Sequence, residues 1–191
     1  MYKRCVTEQS AQRQRELEAG LLSTMLTRPY EDISVSDLCE TLKIPRKSFY
    51  RYFTSKDGAL HALIDHTILD FSGEMFSGDL GATLATLERF FQFWKNRKPL
   101  LDALQRNNLS GILIQRAVAR TTEEELLSPK LFPPQSGLPR DYAAHFFVTG
   151  LLTMVLQWHS NHYDIPAKEM SEISAHLLTH PMVDISRQEN N

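Results

Sequence analysis

Between Ser34 and Phe53 two short amphipathic runs follow one another so closely that two helices must meet there at a sharp turn. Val35, Leu38, Cys39 and Leu42 fall at i, i+3, i+4 and i+7, one apolar helical face. Ser34 opens this run three residues before Asp37, which is the spacing of a capping box. Lys43, Ile44 and Pro45 then interrupt it. Proline has no amide hydrogen and suits the first turn of a helix, so a new helix starts near Pro45. There Phe49 and Phe53 share one face, while Arg46, Lys47, Tyr50 and Arg51 spread over the rest. Two short helices in tight succession, the second rich in cations, have the helix-turn-helix pattern.

Helical periodicity also rules the remainder, and strand-like alternation is nearly absent. Leu17, Leu21 and Met25 recur every four residues in a first helix over Gln12 to Leu26. Thr54 or Ser55 caps a fourth helix expected to run to about Phe71, before a Gly-bearing loop over residues 72–82. Leu84, Leu87, Phe90, Phe91 and Trp94 mark a fifth, which stops before Pro99. A short helix to about Asn107 and a longer one from Leu109 to Leu127 follow. Residues 128–139, with four prolines and a glycine, read as a loop. Residues 140–163 are apolar nearly all round, and a last helix covers Ala167 to Thr179. The expectation is an all-α chain of about nine helices. A three-helix helix-turn-helix unit occupies residues 1–55, and a larger helical body occupies residues 56–191.

The net charge of −2 over 191 residues does not announce a nucleic-acid partner for the whole molecule. Its distribution is informative, because residues 1–60 carry ten Lys or Arg against eight Asp or Glu, so the acidic excess belongs to the body. Residues 43–56 carry five cations and no carboxylate. Cys5 and Cys39 have no metal or redox spacing, and no apolar run has signal-peptide or membrane-spanning length. These features fit a soluble, thiol-reduced cytoplasmic protein with no membrane association. No GxSxG, phosphate loop, HExxH or Cys-His framework appears, so the expectation is a non-enzyme without cofactor or metal.

Cations on a recognition helix neutralise phosphates and release condensed counterions, and an Arg in its first turn can read a guanine edge with two hydrogen bonds. Arg46, Lys47 and Ser48 are therefore expected at bases, and Tyr50, Arg51, Tyr52 and Lys56 at backbone oxygens. The stretch SVSDLCETLKIPRKSFYRYFTSKDGAL, within residues 10 to 65, resembles the DNA-binding domain of the TetR family of transcriptional regulators. It does so through Ser34, the Ser48-Phe49-Tyr50 run, the Tyr52-Phe53 pair and Lys56. The resemblance implies a homodimer that reads an inverted-repeat, double-stranded operator and whose body binds a small-molecule effector. By position it implies Tyr50 and Lys56 at phosphates, Ser34 as a cap that also touches phosphate, and Ser36, Arg46 and Lys47 facing bases. Three residues depart from the family pattern. Lys43 stands for a turn glycine, which asks a residue with a Cβ to go left-handed, Pro45 for a hydroxyl cap, and Lys47 for a small residue.

A helix apolar on every face needs cover on every face. In residues 140–163, Ala144, Phe147, Leu151, Val155 and Trp158 can pack inward, while Phe146, Thr149, Gly150, Thr153, Leu156 and Gln157 need another cover. Either a second protomer supplies it, completed by Met170, Ile173 and Leu177 of the last helix, or the helix is enclosed in one protomer. Phe90, Phe93, Trp94 and Trp158 are candidates for an apolar effector pocket, and core packing explains the same spacing. His61, Asp65 and His66 read as surface residues, and His159 and His162 lack the companions of a metal site. The functional expectation is a ligand-released repressor. The alternative is an interaction protein or coactivator that keeps the fold and acts through a protein partner.

Overall fold

The computed structural model describes residues 1–76, 83–123 and 139–180, and among them it is all-helical. Nine helices follow in order: α1 (Glu8–Met25), α2 (Val35–Thr41), α3 (Arg46–Tyr50), α4 (Lys56–Phe76), α5 (Thr83–Asn96), α6 (Lys98–Arg106), α7 (Ser110–Glu123), α8 (Arg140–Ser160) and α9 (Ala167–Thr179). α4 continues five residues past the expected end at Phe71, so the front of the expected loop is helix. The rest of that loop, the Leu127 end of the seventh helix and nearly all of the proline-rich loop lie outside the described residues.

Local chemistry sets the helix ends. Thr7 caps α1 by accepting from the Ser10 amide. Ser34 and Asp37 form the full capping box of α2: the Asp37 amide donates to Ser34 Oγ (3.1 Å) and the Ser34 amide to Asp37 Oδ2 (2.8 Å). Hydrogen bonds from the Ser34 hydroxyl and amide hold the Asp37 carboxyl below its usual range. The Gly58 amide donates to Ser55 Oγ (3.0 Å), which selects Ser55 as the cap of α4.

Three helices end alike. Lys43, Asn108 and His162 have φ of 52°, 56° and 56°, each just past a helix C-cap. After α2, the Ile44 amide reaches Cys39 O (2.9 Å) and the Lys43 amide reaches Glu40 O (3.1 Å), the paired bonds of a Schellman motif. The expected left-handed Lys43 is therefore present, in a conformation that strains a residue with a Cβ. Lys43→Gly is expected to stabilise the protein by up to about 1 kcal/mol, the relieved strain less the freedom glycine gains on unfolding. A higher urea midpoint at unchanged slope would show it, and an unmoved midpoint would refute it.

α1, α2, α3 and the start of α4 share a core of Leu17, Leu21, Met25, Ile33, Leu38, Phe49, Phe53 and Leu60. α4 packs on α1 and on α7, α7 on α8, and α5 on α9. The buried apolar cluster runs without a break from Leu17 in α1 to Met170 in α9, so the helix-turn-helix unit and the later helices share one core.

Candidate nucleic-acid interface

Five residues make too short a helix to persist alone, and α3 is held by its buried face. Phe49 and Phe53 are enclosed, with ring centroids 5.2 Å apart, in agreement with the sequence pattern. Their burial turns Arg46, Lys47, Tyr50 and Arg51 to solvent and leaves Ser48 half-buried. Pro45 begins α3 without a side-chain cap, so the Ser48 amide bonds to the Pro45 carbonyl (2.8 Å). Ser36 is exposed on the adjoining α2. Ser34 is exposed as well, but its hydroxyl proton is directed to Asp37 Oδ2 (2.6 Å), so only an oxygen remains to face a ligand.

Two residues expected at backbone oxygens have partners within the protein. Tyr52 is buried in the head core, because the turn after α3 rotates it to the side of Phe53, 6.3 Å away. Lys56 is half-buried and donates to the Tyr30 carbonyl, with its ammonium 4.2 Å from the centre of the Tyr30 ring. Lys56 therefore holds the α1–α2 connection in place. Tyr30 is itself fixed: its hydroxyl donates to Asp57 (2.6 Å) and its amide to Asn107 Oδ1 (2.6 Å) at the end of α6. Burial and the Asp57 bond push its phenol pKa well above the ordinary value. Arg106 adds a bond to Leu26 O (2.7 Å). The α1–α2 connection that supports the helix-turn-helix unit is thus bolted to α4 and α6 by side chains with no motif of their own.

Asp65, a surface residue by its sequence pattern, is buried completely. Arg116 Nε donates to its carboxylate (2.7 Å) and the Arg116 Nη2 pairs with it too. Arg120 lies 3.8 Å away, and the Tyr2 hydroxyl donates at 2.7 Å. Burial and the bond to Asp65 raise the Tyr2 phenol to about 12. His66 is half-buried, with Nδ1 2.9 Å from buried Glu18 on α1. His159 is enclosed between Asp102 (2.8 Å) and Gln105 (2.7 Å), and among the described residues no cluster suits a metal.

In the body, Phe90, Phe93, Trp94 and Trp158 are all buried. Phe71 packs on Phe90 and Phe93, and Phe91 joins Phe90 to Trp158. Trp94, 2% exposed, keeps its Nε1–H without a hydrogen-bond partner, and so does Thr86 Oγ1 two turns earlier on α5. On the outer side of α8, Phe146 is 77% exposed, with Gly150, Thr153 and Gln157 exposed along the same stripe and Thr149 half-buried beside it. Ile173 and Leu177 of α9 are 39% and 40% exposed. Met170 departs from this outward set. It is buried with Ala167, Ser171 and Ser174, whose small side chains let α9 lie against α5.

Residues 22–63 match the family model described as bacterial regulatory proteins, tetR family. Among solved structures, the fatty acid degradation regulator FadR from Bacillus halodurans aligns at 13% identity with a TM-score of 0.61, covering 86% of this chain and 96% of that one. A tetR-family transcriptional regulator from Streptomyces coelicolor aligns at 19% identity and 0.53, covering 87% and 78%. The TetR family repressor AlkX from Dietzia sp. aligns at 19% identity and 0.54, covering 86% and 95%. No curated protein matches by sequence.

Proposed function

We propose that this chain, which belongs to the TetR family by its N-terminal domain, is a homodimeric repressor that binds an inverted-repeat operator and is released by a small apolar effector. The observation that carries the reading is the exposed set of Arg46, Lys47 and Tyr50 on α3 and Arg51 at its C-cap, with the helix locked from behind by Phe49 and Phe53. Its cations are free to meet phosphates and base edges, and its orientation is fixed before DNA arrives. Residues 1–55 serve as the reading head and residues 56–191 as the regulatory and dimerisation body. Nothing in this role calls for catalysis or a cofactor, and the cytoplasm is its place of action.

The outer stripe of α8 with Ile173 and Leu177 supports a two-fold, four-helix contact between protomers. Light scattering at micromolar concentration is expected to give twice 21.9 kDa, and Phe146→Glu with Ile173→Glu is expected to give 21.9 kDa. A wild-type monomer would remove the dimer. The aromatic wall of Phe90, Phe93, Trp94 and Trp158, with the unpartnered Trp94 Nε1–H, supports an effector site in the body. An effector that prefers one spacing of the heads would shift operator affinity by its difference in binding energy between the two states. The direct test is mobility shift against the DNA flanking the chain's own gene at several salt concentrations. Steeply salt-dependent binding is expected, and its absence would sink the reading.

A further inference from the structure

Residues Met1–Cys5 form an anchored strap across the end of α3. Tyr2 pairs with Phe53 in an isolated antiparallel bridge, and the Lys3 amide bonds to Tyr52 O (2.9 Å). The Thr54 amide and hydroxyl both donate to Met1 O (3.1 and 2.7 Å), and Gln14 Nε2 to Lys3 O (3.1 Å). The fit leaves no room for a side chain at Gly58, where a Cβ would stand 2.4 Å from Met1 O. In extended backbone successive side chains point to opposite faces. Tyr2 goes inward to Asp65, and Lys3 outward, where it is exposed and its ammonium lies 3.5 Å from the carbonyl of Tyr50.

We propose that Lys3 is a further DNA-backbone contact, presented by the strap beside the exposed Tyr50 and Arg51. The inference rests on the regulator reading above. An ammonium has three donors, and the single long bond to Tyr50 O satisfies one of them weakly. Among the described residues no carboxylate forms an ion pair with Lys3, so its charge adds to that of α3. The strap fixes the backbone of Lys3 in advance, which lowers the ordering cost of a phosphate contact.

The test measures operator and unrelated DNA binding by the full chain from 50 to 200 mM salt. Lys3→Gln is expected to flatten the slope of log K against log salt by about 0.9 for each protomer bound, weakening both DNAs alike. Gly58→Ala, which displaces the strap without removing a charge, is expected to lose the same increment, and the double variant no more than either alone. A wild-type slope in Lys3→Gln would overturn the contact, and a lowered unfolding midpoint with that slope would leave Lys3 as a cap on the Tyr50 carbonyl. Wild-type protein that binds no DNA would instead overturn the regulator reading itself.

Discussion

Asp65→Ala is expected to cost about 3 kcal/mol of folding stability, the lower end of what breaking a buried ion pair costs. The carboxylate is fully buried and answers Arg116, Arg120 and the Tyr2 hydroxyl. Its removal strips a shared partner from two guanidinium groups and a phenol at once. Arg116 keeps 28% of its side chain in solvent, so water recovers part of the loss, which places the estimate at the low end. Asp65→Asn keeps the volume and one acceptor oxygen and should fall between wild type and Ala. Equilibrium urea unfolding decides the matter: a loss below about 1 kcal/mol for Ala would mean that the cluster is replaceable by solvent. Because the same carboxylate anchors Tyr2, the Ala variant is also expected to loosen the strap beside α3.

What the sequence made legible, and what it did not, follows from the range of the forces involved. Ser34 with Asp37, the left-handed Lys43 and the inward pair Phe49 and Phe53 are all settled within a few residues, and each is where local chemistry places it. The family resemblance added the joint meaning of Ser48 to Lys56, which no single spacing carries. Asp65 was invisible because its partners lie 51 and 63 positions away, and an Asp between two His on a helix looks like any solvated face. Lys56 went to Tyr30 rather than to open solvent for a similar reason, since a loop 26 residues earlier offers its ammonium a carbonyl and a ring. Met170 misled at closer range. It shares a stripe with Ile173 and Leu177, but the small residues Ala167, Ser171 and Ser174 turn the buried face of α9 partly off that stripe. Periodicity locates a face to within a residue or so, and the choice between neighbours is made by the helix it meets.

Arg46→Ala combined with Lys47→Ala is expected to reduce operator affinity by a hundredfold or more while leaving the fold intact. Both side chains are exposed on α3, and neither supports the core, so the stability change should stay within about 0.5 kcal/mol. A base-edge contact by Arg46 contributes about 1–3 kcal/mol and should relax specificity at one position of each half-site when removed. A phosphate contact by Lys47 would instead weaken all sequences equally and flatten the salt slope by about 0.9 per protomer. The single variants therefore separate reading from gripping, and the double variant asks whether DNA is the partner at all. If it folds, loses DNA binding and still regulates its target genes, the chain acts through a protein instead. If it binds the operator as tightly as wild type, α3 is not the reading helix, despite its exposed charge and its packed aromatic back.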